Sequence, residues 1–192
     1  HRTHEGARAY DQAQTSEGMC EVADAAGSCA GVGRDVQAGP GRRVREMASA
    51  VDRPSLTELH THVYWGGTSV GIDAGACCRT SGVTTSVDTG SAGPGNFAGF
   101  RSHVIERSQA RILAYLHVSF AGIFGFSKTI MVGESEDPRL MAPREAVEVA
   151  EANRDVIVGI KVRVGRHASG DQGTAPLDIA LQLAEETGLP RL

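Results

Sequence analysis

From Val51 onward, the sequence repeats one pattern four times. Each repeat has a short apolar run that favours a strand, then a loop containing Gly or Pro, then a stretch with helical periodicity. The apolar runs span residues 56–64, 83–90, 111–119 and 156–165. Each run is predicted to be a strand buried on both faces. Helices are predicted after the strands, at residues 73–81, 96–108, 143–153 and 176–186.

Strands that alternate with helices indicate right-handed βαβ units and a parallel sheet, which is an α/β fold. Helix boundaries are marked by Asn96 as an N-cap, Pro143 in a first turn and Gly188 as a stop. A (β/α)8 barrel uses about 250 residues for its eight units. Residues 59–192 therefore accommodate about the first four units, and residues 189–192 are expected to begin a fifth strand.

The first fifty residues differ in composition, because they contain no Leu, Ile, Phe or Trp. Such a stretch buries too little apolar surface to offset its chain entropy. We therefore expect residues 1–54 to be a poorly ordered or non-homologous leader and residues 55–192 to fold as the amino-terminal half of a barrel. The chain begins with His1 rather than Met and stops directly after "GLPRL", so we also expect it to be a fragment.

Charge and composition exclude several classes of partner. The net charge is -4 and the isoelectric point is near 6.0, and the basic cluster at residues 41–45 is too short for a nucleic-acid interface. No apolar run approaches the roughly 18 residues that a membrane span requires. The four cysteines lack metal-binding spacing and read as structural thiols. These features predict a cytoplasmic protein that binds neither nucleic acid nor membranes.

His60 and His62 stand one residue apart inside the first apolar run. In a strand, residues i and i+2 share a face and lie about 6.6 Å apart. Both imidazoles then reach one metal ion at bond lengths of about 2.0–2.1 Å. The alternative is that they are two polar residues that fall in a strand by chance. Their place at the carboxyl end of the first strand, where barrel active sites lie, favours metal binding.

Lys161 lies within the fourth apolar run. A buried, charged lysine is costly, so it must be neutralised, paired or functional. Burial lowers the pKa of the amine, and a neutral amine can add carbon dioxide to form an anionic carbamate. The alternative is a lysine at a strand end that reaches solvent, with Arg163 beside it.

Other polar residues near the predicted strand ends are weaker candidates. Asp88 is predicted to cap the turn that follows the second strand, or else to support a ligand from behind. His117 is expected to be a satisfied core histidine, and His167 lies either on the rim of a site or in solvent. The long connection at residues 120–142 is either a substrate-contacting loop or a solvated connector.

Three segments together resemble the amidohydrolase superfamily, and closely its dihydroorotase-like amidohydrolase/deacetylase branch. They are "ELHTHVYWGGTSVGIDAG", "SGVTTSVDTGSAGPGNFAGFRSHVIE" and "VIVGIKVRVGRHASG" with the following "APLDIALQLAEETGLP". The resemblance implies a TIM-type (β/α)8 metal-dependent hydrolase barrel. It also implies that His60 and His62 are metal ligands and that Lys161 is a carboxylated, catalytic lysine bridging two divalent metals, usually zinc. A metal-bridging hydroxide then attacks an amide or ester carbonyl.

The function implied by this resemblance is removal of an acyl group, such as acetyl, from a small carboxylated substrate. Hydrolysis of a cyclic amide is the nearest alternative. In the family, further ligands come from the fifth, sixth and eighth strands, so we expect weak metal binding and negligible turnover by this chain alone. Two other hypotheses stay open: a non-catalytic half-barrel that self-associates through its sheet edges, and a metal-free α/β binding module.

Overall fold

A computed structural model describes residues 20–23, 29–33, 39–40, 43–46, 56–127, 129–132 and 134–192. The chain divides into two compact units, His1–Ser55 and Leu56–Leu192. The larger unit contains both predicted metal ligands of the first strand as well as Lys161. No helix in the described ranges is long and apolar enough to cross a membrane.

The described residues of the first unit include three short strands, β1 (Cys20–Ala23), β2 (Cys29–Gly33) and β3 (Arg43–Glu46). They form an antiparallel sheet in the order β2-β1-β3. The sequence pattern predicted a poorly ordered leader here and did not predict these strands. Apart from residues 39–40, the other residues of the predicted leader lie outside the described ranges.

The second unit is built on a four-stranded parallel sheet. Its strands are β4 (Leu56–Thr61), β5 (Val83–Thr89), β6 (Arg111–His117) and β9 (Ile157–Lys161), whereas β7 (Gly125–Phe126) and β8 (Met131–Val132) form a separate hairpin. The order of the parallel sheet is β4-β5-β6-β9. All four predicted strands and their parallel arrangement are therefore confirmed.

Helices follow the strands as predicted. They are α1 (Ala74–Ser81), α2 (Phe97–Phe100), which continues as a π-helix (Arg101–Ile105), α3 (Pro143–Ala152) and α4 (Ala175–Thr187). Pro143 opens α3, and Gly188 ends α4 with a φ of 64°. Asn96 occupies the predicted N-cap position but does not cap the helix with its side chain, which accepts a hydrogen bond from Gly93 instead.

The core lies between the sheet and its helices. Its largest fully buried apolar side chains, within the described ranges, are Phe97, Phe100, Leu116, Ile157, Ile160 and Leu183. The prediction that every strand is buried on both faces is wrong for β4. Leu59 is 68% exposed because β4 is an edge strand, paired with β5 on one side only among the described residues.

The end of the chain begins another strand beside β9. Arg191 forms a parallel bridge with Ile160, whose backbone N–H donates to Pro190 and whose carbonyl accepts from Leu192. This pairing confirms the predicted start of a fifth strand at residues 189–192. The sheet thus grows in the sequential, parallel manner of a (β/α) barrel.

Candidate metal centre

The carboxyl ends of the four parallel strands meet at one edge of the sheet. Register pairs Thr61 with Asp88 and His117 with Lys161 across neighbouring strands. Parallel pairing therefore brings polar residues that are far apart in sequence to the same end of the fold. This is the end at which α/β barrels carry their active sites.

His60 and His62 are side by side at the end of β4. Their ring centroids are 5.9 Å apart in an edge-to-face arrangement. His60 is exposed, whereas His62 is half-buried and its Nδ1 forms a 3.1 Å hydrogen bond with the Ser91 hydroxyl. Burial, followed by the charges of His60 and Lys161, lowers the pKa of His62 to about 4. His62 is therefore neutral near pH 7, which is the form that binds metals.

Asp88 organises the backbone that supports His62. Its fully buried carboxylate accepts a hydrogen bond of 2.7 Å from the Ser91 N–H and another of 2.7 Å from the Val63 N–H. Burial raises the pKa of Asp88 to about 6, and these hydrogen bonds oppose the shift. The predicted turn role is confirmed. Asp88 also fixes Val63, which follows His62, and Ser91, whose hydroxyl contacts the His62 ring.

The Ser91 hydroxyl is expected to set the orientation of the His62 ring, because it forms a 3.1 Å hydrogen bond with Nδ1. Ser91→Ala should lower zinc affinity about tenfold, the smaller of the losses typical for groups that orient metal ligands. Competition titration against a chromophoric chelator measures this change. Ser102→Ala, at an exposed position on the π-helix, is the matched control and should leave affinity unchanged.

Lys161 ends β9 and is only 9% exposed. Its amine forms no hydrogen bond or ion pair with a described residue. Burial lowers the pKa of Lys161, the charge of Glu134 opposes this, and Arg163 adds to it. The alternative of a solvent-reaching lysine is therefore not favoured. A lowered pKa favours the neutral amine, which is the form that adds carbon dioxide.

The long loop at residues 120–142 closes over this region through Glu134. Glu134 is 1% exposed, and its Oε1 accepts a 3.2 Å hydrogen bond from Nη1 of Arg163. Arg163 also lies over the ring of Phe126, 4.6 Å from its centroid. Burial raises the pKa of Glu134. The loop is thus more than a solvated connector, and sequence reasoning missed Glu134, whose only signal was the acidic "GESED" in a long loop after a strand.

His117 differs from the predicted satisfied core histidine. It is completely buried, and its Nδ1 accepts a 2.9 Å hydrogen bond from the Ser119 N–H. Its Nε2 is buried without a hydrogen-bond partner in the described structure, so the prediction is wrong for this nitrogen. Burial, followed by the charge of Lys161, lowers the pKa of His117 to about 3. His167 lies in an exposed turn.

The donor set fits a divalent metal only in part. His62 supplies a neutral imidazole, His60 lies beside it, and Lys161 is close enough for its charge to depress the pKa of His62. Among the described residues, however, no group of three or more His, Cys, Asp or Glu side chains is arranged to hold a metal ion. The chain thus presents part of a ligand set, with Lys161 as the third candidate.

A cavity of about 670 Å³ lies away from these side chains. Tyr64, Trp65, Arg79, His103 and Arg107 are among its lining residues. None of His60, His62 and Lys161 lines it. The candidate centre therefore lies outside this cavity.

Known proteins are similar to this chain in both sequence and fold. The chain is 33% identical over 166 residues to a deacetylase from Brucella anthropi and, over the same length, to one from Agrobacterium fabrum. It also superposes on the crystal structure of a dihydroorotase with a TM-score of 0.68 and 34% identity, covering 72% of this chain and 43% of that one. This is a partial amidohydrolase-like chain.

The amidohydrolase-like chain spans only part of these proteins. The deacetylase matches cover 86% of this chain but 40% of each relative. An adenine deaminase structure, at 18% identity, has the same fold with a TM-score of 0.65, covering 85% of this chain and 44% of that one. The predicted fold, part of a TIM-type α/β barrel, is confirmed. No protein-family model matches the sequence.

Proposed function

We propose that this chain carries the first half of the active site of a metal-dependent hydrolase that removes an acyl group, such as acetyl, from a small carboxylated molecule. One observation carries the proposal: a neutral His62, its neighbour His60 and a desolvated Lys161 lie at strand ends of a barrel half. The likeness to two bacterial deacetylases supports the reaction class.

Each side chain has a defined part in this proposal. His60 and His62 bind a divalent metal, and Lys161 contributes an oxygen ligand as its carbamate. Ser91 and Asp88 keep the His62 ring in place through the hydrogen bonds described above. Zinc is the proposed ion because neutral imidazoles are among its preferred ligands. Bound divalent ions supply Lewis-acid chemistry, which polarises a carbonyl and makes water a stronger nucleophile.

The remaining groups shape the binding of substrate. Arg163, held by Glu134 and Phe126 beside Lys161, offers a cation for the carboxylate of the substrate.

A cytoplasmic enzyme acting on a small molecule remains our prediction. The likeness to a dihydroorotase at 34% identity favours cyclic amide hydrolysis as the second candidate reaction.

Complementation tests the proposed reaction directly, because the chain spans 40% of each deacetylase it matches. The chain is co-expressed with the unmatched remainder of the Brucella anthropi deacetylase, and acetate release from N-acetyl and O-acetyl carboxylic acids is measured with zinc. We expect hydrolysis by the pair, negligible turnover by this chain alone, and loss of turnover in a His60→Ala, His62→Ala pair. Fast turnover and two tightly held metals in the isolated chain would contradict the half-site, and dihydroorotate cleavage would favour the second candidate.

The exposed edge of β4 favours a further, non-catalytic candidate function. Leu56 and Leu59 are 41% and 68% exposed on a strand with one pairing partner among the described residues. Unpaired edges with apolar side chains promote association. Size-exclusion chromatography separates the cases: a half-barrel that self-associates elutes as a dimer or larger species, and a concentration-independent monomer counts against it.

A further inference from the structure

The tautomer of His117 follows from the one described hydrogen bond of its ring. A backbone N–H can only donate, so Nδ1 of His117 must accept the bond from Ser119. The proton of the neutral ring is therefore on Nε2. That N–H is buried and finds no acceptor among the described residues. An unpaired buried donor costs about 1–3 kcal/mol. A modification of the chain that supplies an acceptor for this N–H would remove that cost.

Lys161 is the group placed to supply that acceptor. It pairs with His117 across β6 and β9. A Cβ atom added to Gly90 would lie 2.5 Å from Cγ of Lys161 and 3.2 Å from Cδ2 of His117. Cδ2 is bonded to Nε2, so the lysine stem and the unpaired N–H flank the same glycine. With no side chain on Gly90, nothing from that residue separates them.

The two groups mismatch while the lysine is unmodified and charged. An ammonium has three donors and no acceptor, so it cannot satisfy the Nε2–H of His117. Glu134 does not satisfy it either, since its one described hydrogen bond is with Arg163. Conversion of the lysine end into an oxygen acceptor removes the mismatch.

We propose that His117 is a positioning residue whose Nε2–H binds the carboxylate of a carbon dioxide adduct on Lys161, an inference that rests on the proposed function. The lone pair of the neutral Nζ forms a bond to the carbon of carbon dioxide. The electrons of one C=O π bond move to oxygen, and Nζ releases one proton to water. The product, a carbamate, keeps one N–H and gains a carboxylate whose two oxygens share one negative charge, and one of these oxygens accepts from His117.

Carbon-13 NMR of the purified full chain tests this directly. Carbon-13 bicarbonate is titrated at fixed pH and zinc concentration, and the carbamate carbon signal is measured. We expect saturation in the wild-type chain and no signal in Lys161→Arg. His117→Phe, which keeps ring size but removes the donor, should raise the half-saturating bicarbonate concentration about tenfold. His117→Gln, which restores an N–H near the same position, should recover most of that loss.

Two controls separate a positioning role from damage to the fold. His103→Phe changes an exposed histidine on the π-helix and should leave the titration unchanged. Thermal melts of the His117 variants check that they fold. Equal saturation of wild type and His117→Phe, or no carbamate in wild type, would overturn this inference. Zinc binding that depends on His60 and His62 would survive either result, so failure of the proposed metal centre is separately visible.

Discussion

Lys161→Met is expected to raise the free energy of unfolding by about 1 kcal/mol and to lower zinc affinity at least tenfold, by about 1.4 kcal/mol or more. Lys161 is 9% exposed and its amine has no hydrogen-bonding partner in the described structure. Methionine fills similar space without a polar group to desolvate. The same change removes the proposed oxygen ligand. Stability and metal binding should therefore move in opposite directions.

Denaturant unfolding in zinc-free, carbon-dioxide-depleted buffer measures the stability change, because neither metal nor adduct then offsets the buried amine. Chelator competition measures the zinc affinity. Arg139→Met is the matched control, since the Arg139 side chain is 87% exposed and, among the described residues, pairs only with Asp137, two residues away. It should alter the free energy of unfolding by less than about 0.5 kcal/mol. A Lys161→Met chain that is less stable and binds zinc normally would show that the lysine is structural.

Gly90→Ala is expected to lower the free energy of unfolding by about 3 kcal/mol and zinc affinity at least tenfold. Gly90 has a φ of 87°, a left-handed conformation that costs other residues about 1–2 kcal/mol. A methyl group there would also lie 2.5 Å from Cγ and 2.8 Å from Cβ of Lys161. Overpacking of this kind adds roughly 1–3 kcal/mol. Relief of the clash displaces the lysine from the centre.

Gly82→Ala isolates the conformational part of this effect. Gly82 has a φ of 74° at the end of α1, and nothing lies within 4 Å of the position of an added methyl group. This control should lose about 1 kcal/mol of stability and no zinc affinity. The two variants are compared by thermal unfolding and by the same titration. Equal losses at both positions would mean that Gly90 is needed only for its backbone conformation.

Local patterns were sufficient for the four strands of the parallel sheet, for the helices that follow them and for the metal-ligand candidates. The apolar runs have a length and spacing that belong to buried parallel strands, and β5, β6 and β9 fall inside them. His60 and His62 could be paired because residues two apart in a strand share a face. Lys161 stood out because a lysine inside such a run needs a physical reason.

Features that depend on long-range packing could not be predicted in this way. The burial of Glu134 results from the way the 120–142 loop folds back onto Arg163. The unpaired nitrogen of His117 is visible only once Ser119 and Lys161 are placed beside it. The exposure of β4 was also missed, because an apolar run does not reveal whether a strand is central or at an edge. Burial is a property of neighbours rather than of the strand itself.

The central claim is that His60 and His62 bind a metal ion at the carboxyl end of β4. Equilibrium dialysis against zinc at fixed pH and carbon dioxide tests it with three chains. These are wild type, the His60→Ala, His62→Ala pair, and the His103→Ala, His167→Ala pair, which removes two other exposed histidines. We predict saturable, weak binding to wild type and to the second pair, and affinity at least about tenfold lower in the first. Equal zinc binding by all three chains would contradict the account.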